Sequence, residues 1–134
     1  MTPEVVGYLD KARQCLGYAR INLGVKLGND AGRNAYLAAF HAAQAFIFER
    51  TGKVAKTHQG VHAEFNRLAK GEMRIDRELQ RFLAQAYNLK SVADYEMGPE
   101  AVVQLKRAAV AIESAGRFVE SIAELCSAGG DPPR

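Results

Sequence analysis

A chain of 134 residues that is 25% charged and 48% hydrophobic suits one compact domain around a single core, and it needs neither a second domain nor general disorder. A formal net charge of +3 permits phosphate-rich partners, but no block of consecutive lysines or arginines argues for them by itself. The longest near-apolar run, residues 36–48, is interrupted by His41 and Gln44 and falls short of the ~20 residues of a membrane span, while MTPEVV lacks both halves of a cleaved signal; a cytoplasmic protein with no membrane segment is expected.

Thr2, Pro3 and Glu4 read as an N-cap, a proline at the first helical position and an early acid. Leu9, Ala12, Leu16, Ala19 and Leu23 then recur at helical spacing as far as Gly24. Gly28, Asn29 and Asp30 supply a turn and a cap for a second helix, whose stretch AYLAAFHAAQAFIFER carries no charge between Arg33 and Glu49. A helix apolar all round belongs at the buried centre of a bundle. Gly52 can close it, and Thr57 can cap a shorter third helix with Val61, Phe65 and Leu68 inward before Gly71.

A fourth helix from about Asp76 carries Leu79, Phe82, Leu83, Ala86, Leu89 and Ala93 until Gly98 and Pro99 break it. Pro99 can open the fifth, whose stripe is predicted as Val102, Leu105, Ala108, Ala109, Ile112, Ala115, Val119, Ile122 and Leu125. Strand signals are absent. The pattern therefore predicts an all-α, up-and-down bundle of four to five antiparallel helices over residues 1–126, with 127–134 as a disordered tail. Cys15 and Cys126 lack a paired spacing for zinc or redox work and read as reduced core thiols.

Three polar constellations stand out. His58 and His62 lie at i and i+4, but HQGVH has Gln59 where a zinc protease needs glutamate, and no third ligand is evident; no metal or cofactor is expected, and His58 is read as a brace for the preceding loop. His41 and Gln44 share one face of the apolar second helix, either as a core histidine bonded to a carbonyl or tyrosine, or as the lining of a cleft. Lys90 projects between Leu83 and Ala86, inside the only apolar stripe of the fourth helix, with Asp94 one turn on at its edge. It is either half of a Lys–Asp pair with its stem on the core, or a cation facing a cleft.

The string AYLAAFHAAQAFIFERTGKVAKTHQGVHAEF resembles the second and third helices of HEPN-domain proteins of the small prokaryotic UPF0332-like group, through Tyr36, the AFHAA core around His41, Phe46 and the KTHxGV run from Lys56 to Val61. Leu89, Lys90, Ala93, Asp94 and Tyr95 continue the likeness to that group's LRxxADY. The resemblance spans about Leu9 to Leu125 and implies a helical bundle that often dimerises and, in many members, cleaves RNA without a metal. In the family an arginine followed four to six residues later by a histidine carries that activity; here Lys90 stands for the arginine, and Asp94 and Tyr95 fall where the histidine should.

The expectation is accordingly a toxin–antitoxin-like HEPN protein, a homodimer that binds RNA, with ribonuclease activity weakened by the altered motif. Its catalytic candidates are Lys90, Asp94 and Tyr95, and its binding cleft His41, Gln44 and Tyr87. A nucleotidyltransferase-type antitoxin is the partner the resemblance implies. The alternative is a non-catalytic HEPN module that binds a partner protein or a nucleotide.

Overall fold

The computed structural model describes residues 1–95, 97–98 and 102–129, the side chains of 128 and 129 excepted. They form an up-and-down bundle of five helices: α1 (Pro3–Gly24), α2 (Gly28–Thr51), α3 (His58–Ala69), α4 (Arg77–Tyr95) and α5 (Leu105–Gly129). There is no strand among the described residues, and no described helix is long and apolar enough to cross a membrane.

Local sequence chemistry sets several of the helix ends. The Thr2 hydroxyl accepts from the Val5 N–H at 3.2 Å, and Thr57 accepts from the Gly60 N–H at 2.9 Å, each from an extended backbone. Asp76 accepts from the Glu78 N–H at 2.8 Å ahead of α4. Gly52 closes α2 at φ +70°, a left-handed conformation that a Cβ disfavours.

The uncharged helix takes the central place its composition demands: α2 packs against each of the other four. Ala35, Ala38, Ala39, Ala42, Ala43 and Ala45 are all fully buried, and these small side chains let neighbouring backbones approach closely. Bulk comes from Phe46, Phe65 and Phe118, whose rings meet at 5.7 Å edge-on and at 5.4 Å tilted, geometries favoured by the aromatic quadrupole. Both cysteines sit in this core. Burial pushes both thiols up, Cys126 to about 11, so neither is a thiolate at neutral pH.

The last helix departs from expectation. It starts at Leu105, not near Pro99, which lies outside the described residues, and it runs on to Gly129, past the boundary expected after Cys126. Residues 130–134 of the expected tail also lie outside the described set. Val103 is buried while Val102 is 58% exposed, and Leu105 and Ala109 face solvent where Ala111 and Phe118 turn inward. The cause is a contact with α2. The Val103 N–H donates to Asn29 Oδ1 at 2.7 Å, so this asparagine serves the approach to α5, while Leu27 at the start of α2 makes no side-chain cap.

Two glycines make that contact feasible. A Cβ on Gly28 would overlap the Val103 carbonyl oxygen, and one on Gly32 would press on the Val103 side chain at 3.2 Å. Gly28→Ala is therefore expected to cost about 1–3 kcal/mol as an overpacked site. Gly17→Ala, in a helix interior with nothing within 4 Å, should gain about 0.5–1 kcal/mol. Urea unfolding midpoints of the two variants check both signs; a Gly28→Ala midpoint at or above wild type would remove the steric argument.

Candidate functional site

The apolar stripe of α4, Leu79, Phe82, Leu83, Ala86 and Leu89, is buried, and Lys90 is buried with it at 7% exposure. Its ammonium donates to Asp94 Oδ2 at 2.8 Å and to the Tyr95 hydroxyl at 3.4 Å, and it lies 4.9 Å from the Tyr95 ring centroid. Asp94 is shared: its Oδ1 takes Arg33 Nε from α2 at 3.2 Å. Two cations thus hold one carboxylate, and the bond to Asp94, chief among several contacts, raises the Lys90 pKa against the opposing effect of burial. Tyr95 is 69% exposed, so the cluster opens to solvent on that side.

Beside it lies a cluster built on Tyr36. This fully buried tyrosine places its hydroxyl 2.8 Å from His58 Nδ1 and 2.9 Å from His62 Nε2. The i, i+4 spacing on α3 sets both imidazoles on one face, and Thr57 fixes where that face begins. A phenol has one proton and can also accept, so with both bonds made one histidine accepts from Tyr36 and the other donates to it. Tyr87 from α4 packs its ring edge on Tyr36 at 5.2 Å and meets His58 and His62 at 5.6 Å and 5.3 Å. His58, His62, Gln59 and Tyr87 line an open pocket of about 390 Å³.

The charges there favour neutral rings. Burial lowers the pKa of His58, with the Lys90 charge adding to it and Asp94 opposing. Burial also lowers His62, helped by His58. Burial and the neighbouring Tyr87 raise Tyr36 far above the ordinary phenol value, so its proton stays on.

His41 and Gln44 form a separate network. The His41 Nδ1–H donates to Gln44 Oε1 at 2.8 Å, and Gln44 Nε2 donates to the Ala55 carbonyl at 2.8 Å. That pair braces the loop between α2 and α3, the task the sequence assigned to His58. Among the described residues no hydrogen bond or ring contact joins His41 or Gln44 to Lys90 or Tyr87, whereas Tyr87 does line the pocket beside His58. No group of three or more His, Cys, Asp or Glu side chains among the described residues could hold a metal ion.

Sequence reasoning missed Arg33 as a partner of Asp94 and did not place His58 or Tyr36 among the site candidates. The available signal was the histidine spacing itself: two imidazoles on one helix face can share one partner, which can be a hydroxyl from a neighbouring helix as well as a metal ion.

The chain is similar to known proteins over most of its length. The HEPN domain family matches residues 5–125, a range that contains every residue named above as part of the site. A Methanocaldococcus jannaschii protein named "Putative toxin MJ0605" is 33% identical over 92 residues, 69% of this chain and 68% of that protein. UPF0332 protein glr0978 of Gloeobacter violaceus is 29% identical over 120 residues, 90% of this chain and 94% of its own. The crystal structure of TT1696 from Thermus thermophilus superposes with a TM-score of 0.76 at 20% identity, covering 92% of this chain and 98% of that one, and shows the fold.

Burial lowers the pKa of His41, His58 and His62 below the usual 6.5. As pH falls below about 6.5 the unfolded chain takes up protons that the folded chain does not, so the stability present above that pH is lost toward the lower folded pKa values. Glu72, held far below the carboxylate range by Arg74 and Arg50, does not titrate in this window. Urea midpoints should therefore drop between pH 7.5 and 5.5. Tyr36→Phe, which strips both imidazoles of their hydroxyl, should cost about 1–3 kcal/mol at pH 7.5. A flat pH profile would contradict the neutral-ring assignment.

Proposed function

The chain belongs to the HEPN domain family, in its UPF0332-like group, and from that premise we propose that it is the toxin-like member of a toxin–antitoxin pair, a homodimer that binds RNA and cuts it without a metal. The relative named as a toxin supports the coarser part of this reading. The restraining partner is an antitoxin of the nucleotidyltransferase type.

One observation carries the RNA reading: the buried Lys90 and the more exposed Arg33 share a single carboxylate, beside a pocket walled by His58 and Tyr87. A phosphodiester entering there takes the Asp94 position, with its oxygens on the Lys90 ammonium and the Arg33 guanidinium. His58, neutral and close enough to feel the charges of Lys90 and Asp94, accepts the proton of a 2′-hydroxyl. The 2′-oxygen attacks the adjacent phosphorus and the bond to the 5′-oxygen breaks, leaving a 2′,3′-cyclic phosphate. Tyr95, whose hydroxyl stands 3.4 Å from the Lys90 ammonium, gives the departing oxygen its proton. Asp94 then acts as the group that must move aside, because its charge opposes phosphate. Lysine lacks the planar fork of the family's arginine, so this site positions phosphate less well and works more slowly.

A second reading has its own support. The closed Lys90–Asp94 pair at 2.8 Å, with its lysine packed on core, suits a non-catalytic module whose cleft no longer opens.

A gel assay on mixed single-stranded RNA in excess chelator separates the two. Wild type should cut, Lys90→Ala should weaken binding, and Asp94→Asn should tighten it. His58→Gln should keep binding and lose on the order of 10²–10⁴ in rate, the usual contribution of a general base. The acid limb of the pH–rate profile should lie below 6.5, where the lowered His58 pKa puts it. Binding without cutting would leave the module reading; a wild type that does not bind RNA would sink the RNA claim altogether.

A further inference from the structure

The arginines of the described chain fall into two groups. Arg13, Arg33, Arg50, Arg67 and Arg74 each meet a carboxylate. Arg20, Arg77, Arg81, Arg107 and Arg117 do not, and all of these except Arg20 line three hollows that adjoin through shared lining residues, a groove that starts at the head of α4 and passes to the seam between α4 and α5. At its first end Lys70, Arg77 and Arg81 line a cavity of about 530 Å³. Arg81 also borders the next hollow, with Gln85, Ser114 and Arg117, and Gln85 and Ser114 lead on to Asn88 and Arg107.

This surface is not the site described above. At 100° per residue Arg81 falls about 180° from Lys90 on α4, with Arg77 and Asn88 within about 40° of Arg81. Arg77 and Asn88 are about 16 Å apart along the axis at 1.5 Å per residue, a length that accommodates successive phosphates.

The acids along the groove do not cancel its charge. Glu72 is already saturated: Arg50 donates to it at 2.7 Å, and Arg74 at 2.8 and 2.9 Å through its guanidinium and at 2.9 Å through its backbone N–H. Glu78 alone remains to face the unpaired cations among the residues lining the groove. Nor does the groove look like a protein interface, which needs large apolar anchors at its centre. Its exposed large apolar side chains, Met73 and Val110, stand at opposite ends, and Phe82 between them is 7% exposed.

We propose that the α4–α5 groove is a second binding track that holds the phosphates of a single-stranded RNA, on the face of α4 turned away from Lys90. The inference rests on the RNA reading above. Guanidinium forks grip phosphate oxygens, while the Gln85 and Asn88 amides and the Ser114 hydroxyl bond to sugar or phosphate without reading sequence.

The test is fluorescence anisotropy of a labelled, mixed-sequence single-stranded RNA over a salt series, with circular dichroism to establish that each variant folds. Two double variants, Arg81→Gln with Arg117→Gln and Arg77→Gln with Arg107→Gln, are compared with wild type and Lys90→Ala. Each double variant should bind about tenfold or more weakly, and its log–log salt slope should be shallower by about 1.4, at about 0.7 for each phosphate the variant no longer neutralises. Wild-type affinity and slope in the folded double variants, with Lys90→Ala impaired, would overturn the groove and leave the RNA reading standing. Wild type that fails to bind would overturn both. Displacement of RNA by polyglutamate at equal charge would assign the groove to an acidic protein and overturn the proposal.

Discussion

The organising constraint is that α2 packs against all four other helices, so each polar group it turns toward them must be answered by another element. Asn34 donates to Asn22 of α1 at 2.8 Å, and Tyr36 bonds the two imidazoles of α3. Gln44 ties down the loop before α3, Asn29 takes the N–H of Val103 ahead of α5, and Arg33 reaches Asp94 on α4. Apolar burial supplies the driving force, but it is non-directional and would tolerate many registers of a helix rich in alanine. The polar contacts choose among them, because a helix sliding past α2 would leave a buried donor or acceptor without a partner.

The candidate site is a by-product of that arrangement. Lys90 is sunk in the stripe that packs α4 onto the bundle, and a buried ammonium persists only with a compensating charge. Asp94 provides it, and Arg33 keeps Asp94 in place. The same packing brings α3 and α4 together over Tyr36, so imidazoles and a cationic cluster come from different parts of the chain to one side of the bundle. In this sequence the two histidines of the cluster, His58 and His62, lie on α3, not after the lysine on α4, and the Tyr36 hydroxyl of α2 orients them.

What could be read from the sequence follows the range of the interactions involved. Thr2, Thr57 and Gly52 act within a few residues, and the helix ends they govern stand where the sequence places them. The buried stripe of α4 and the anomaly of Lys90 were likewise visible, since projection on one helix is enough to find them. The start of α5 was not. It depends on Val103 meeting Gly28, Gly32 and Asn29 across the bundle, and Pro99 offered a local signal that pointed elsewhere. His41 and Gln44 were rightly singled out as polar groups in need of partners, yet their partners are each other and the Ala55 carbonyl, which no periodicity specifies. The pairing of Arg33 with Asp94 is equally a through-space fact.

The tyrosine between two histidines has one more implication. If His58 accepts from Tyr36 at Nδ1, its other nitrogen bears hydrogen, and His62, donating through Nε2, keeps a lone pair on its Nδ1. Exchanging these roles moves protons through Tyr36 and also takes one from the outer nitrogen of His58 and returns one to the outer nitrogen of His62, so that both rings end neutral. With both rings neutral, their two remaining nitrogens are therefore always one donor and one acceptor, and which is which reverses when solvent or a bound molecule carries a proton from one outer nitrogen to the other. The pair has a hydrogen-bonding polarity that can invert, so a molecule with a donor beside an acceptor along one edge could be matched in either orientation.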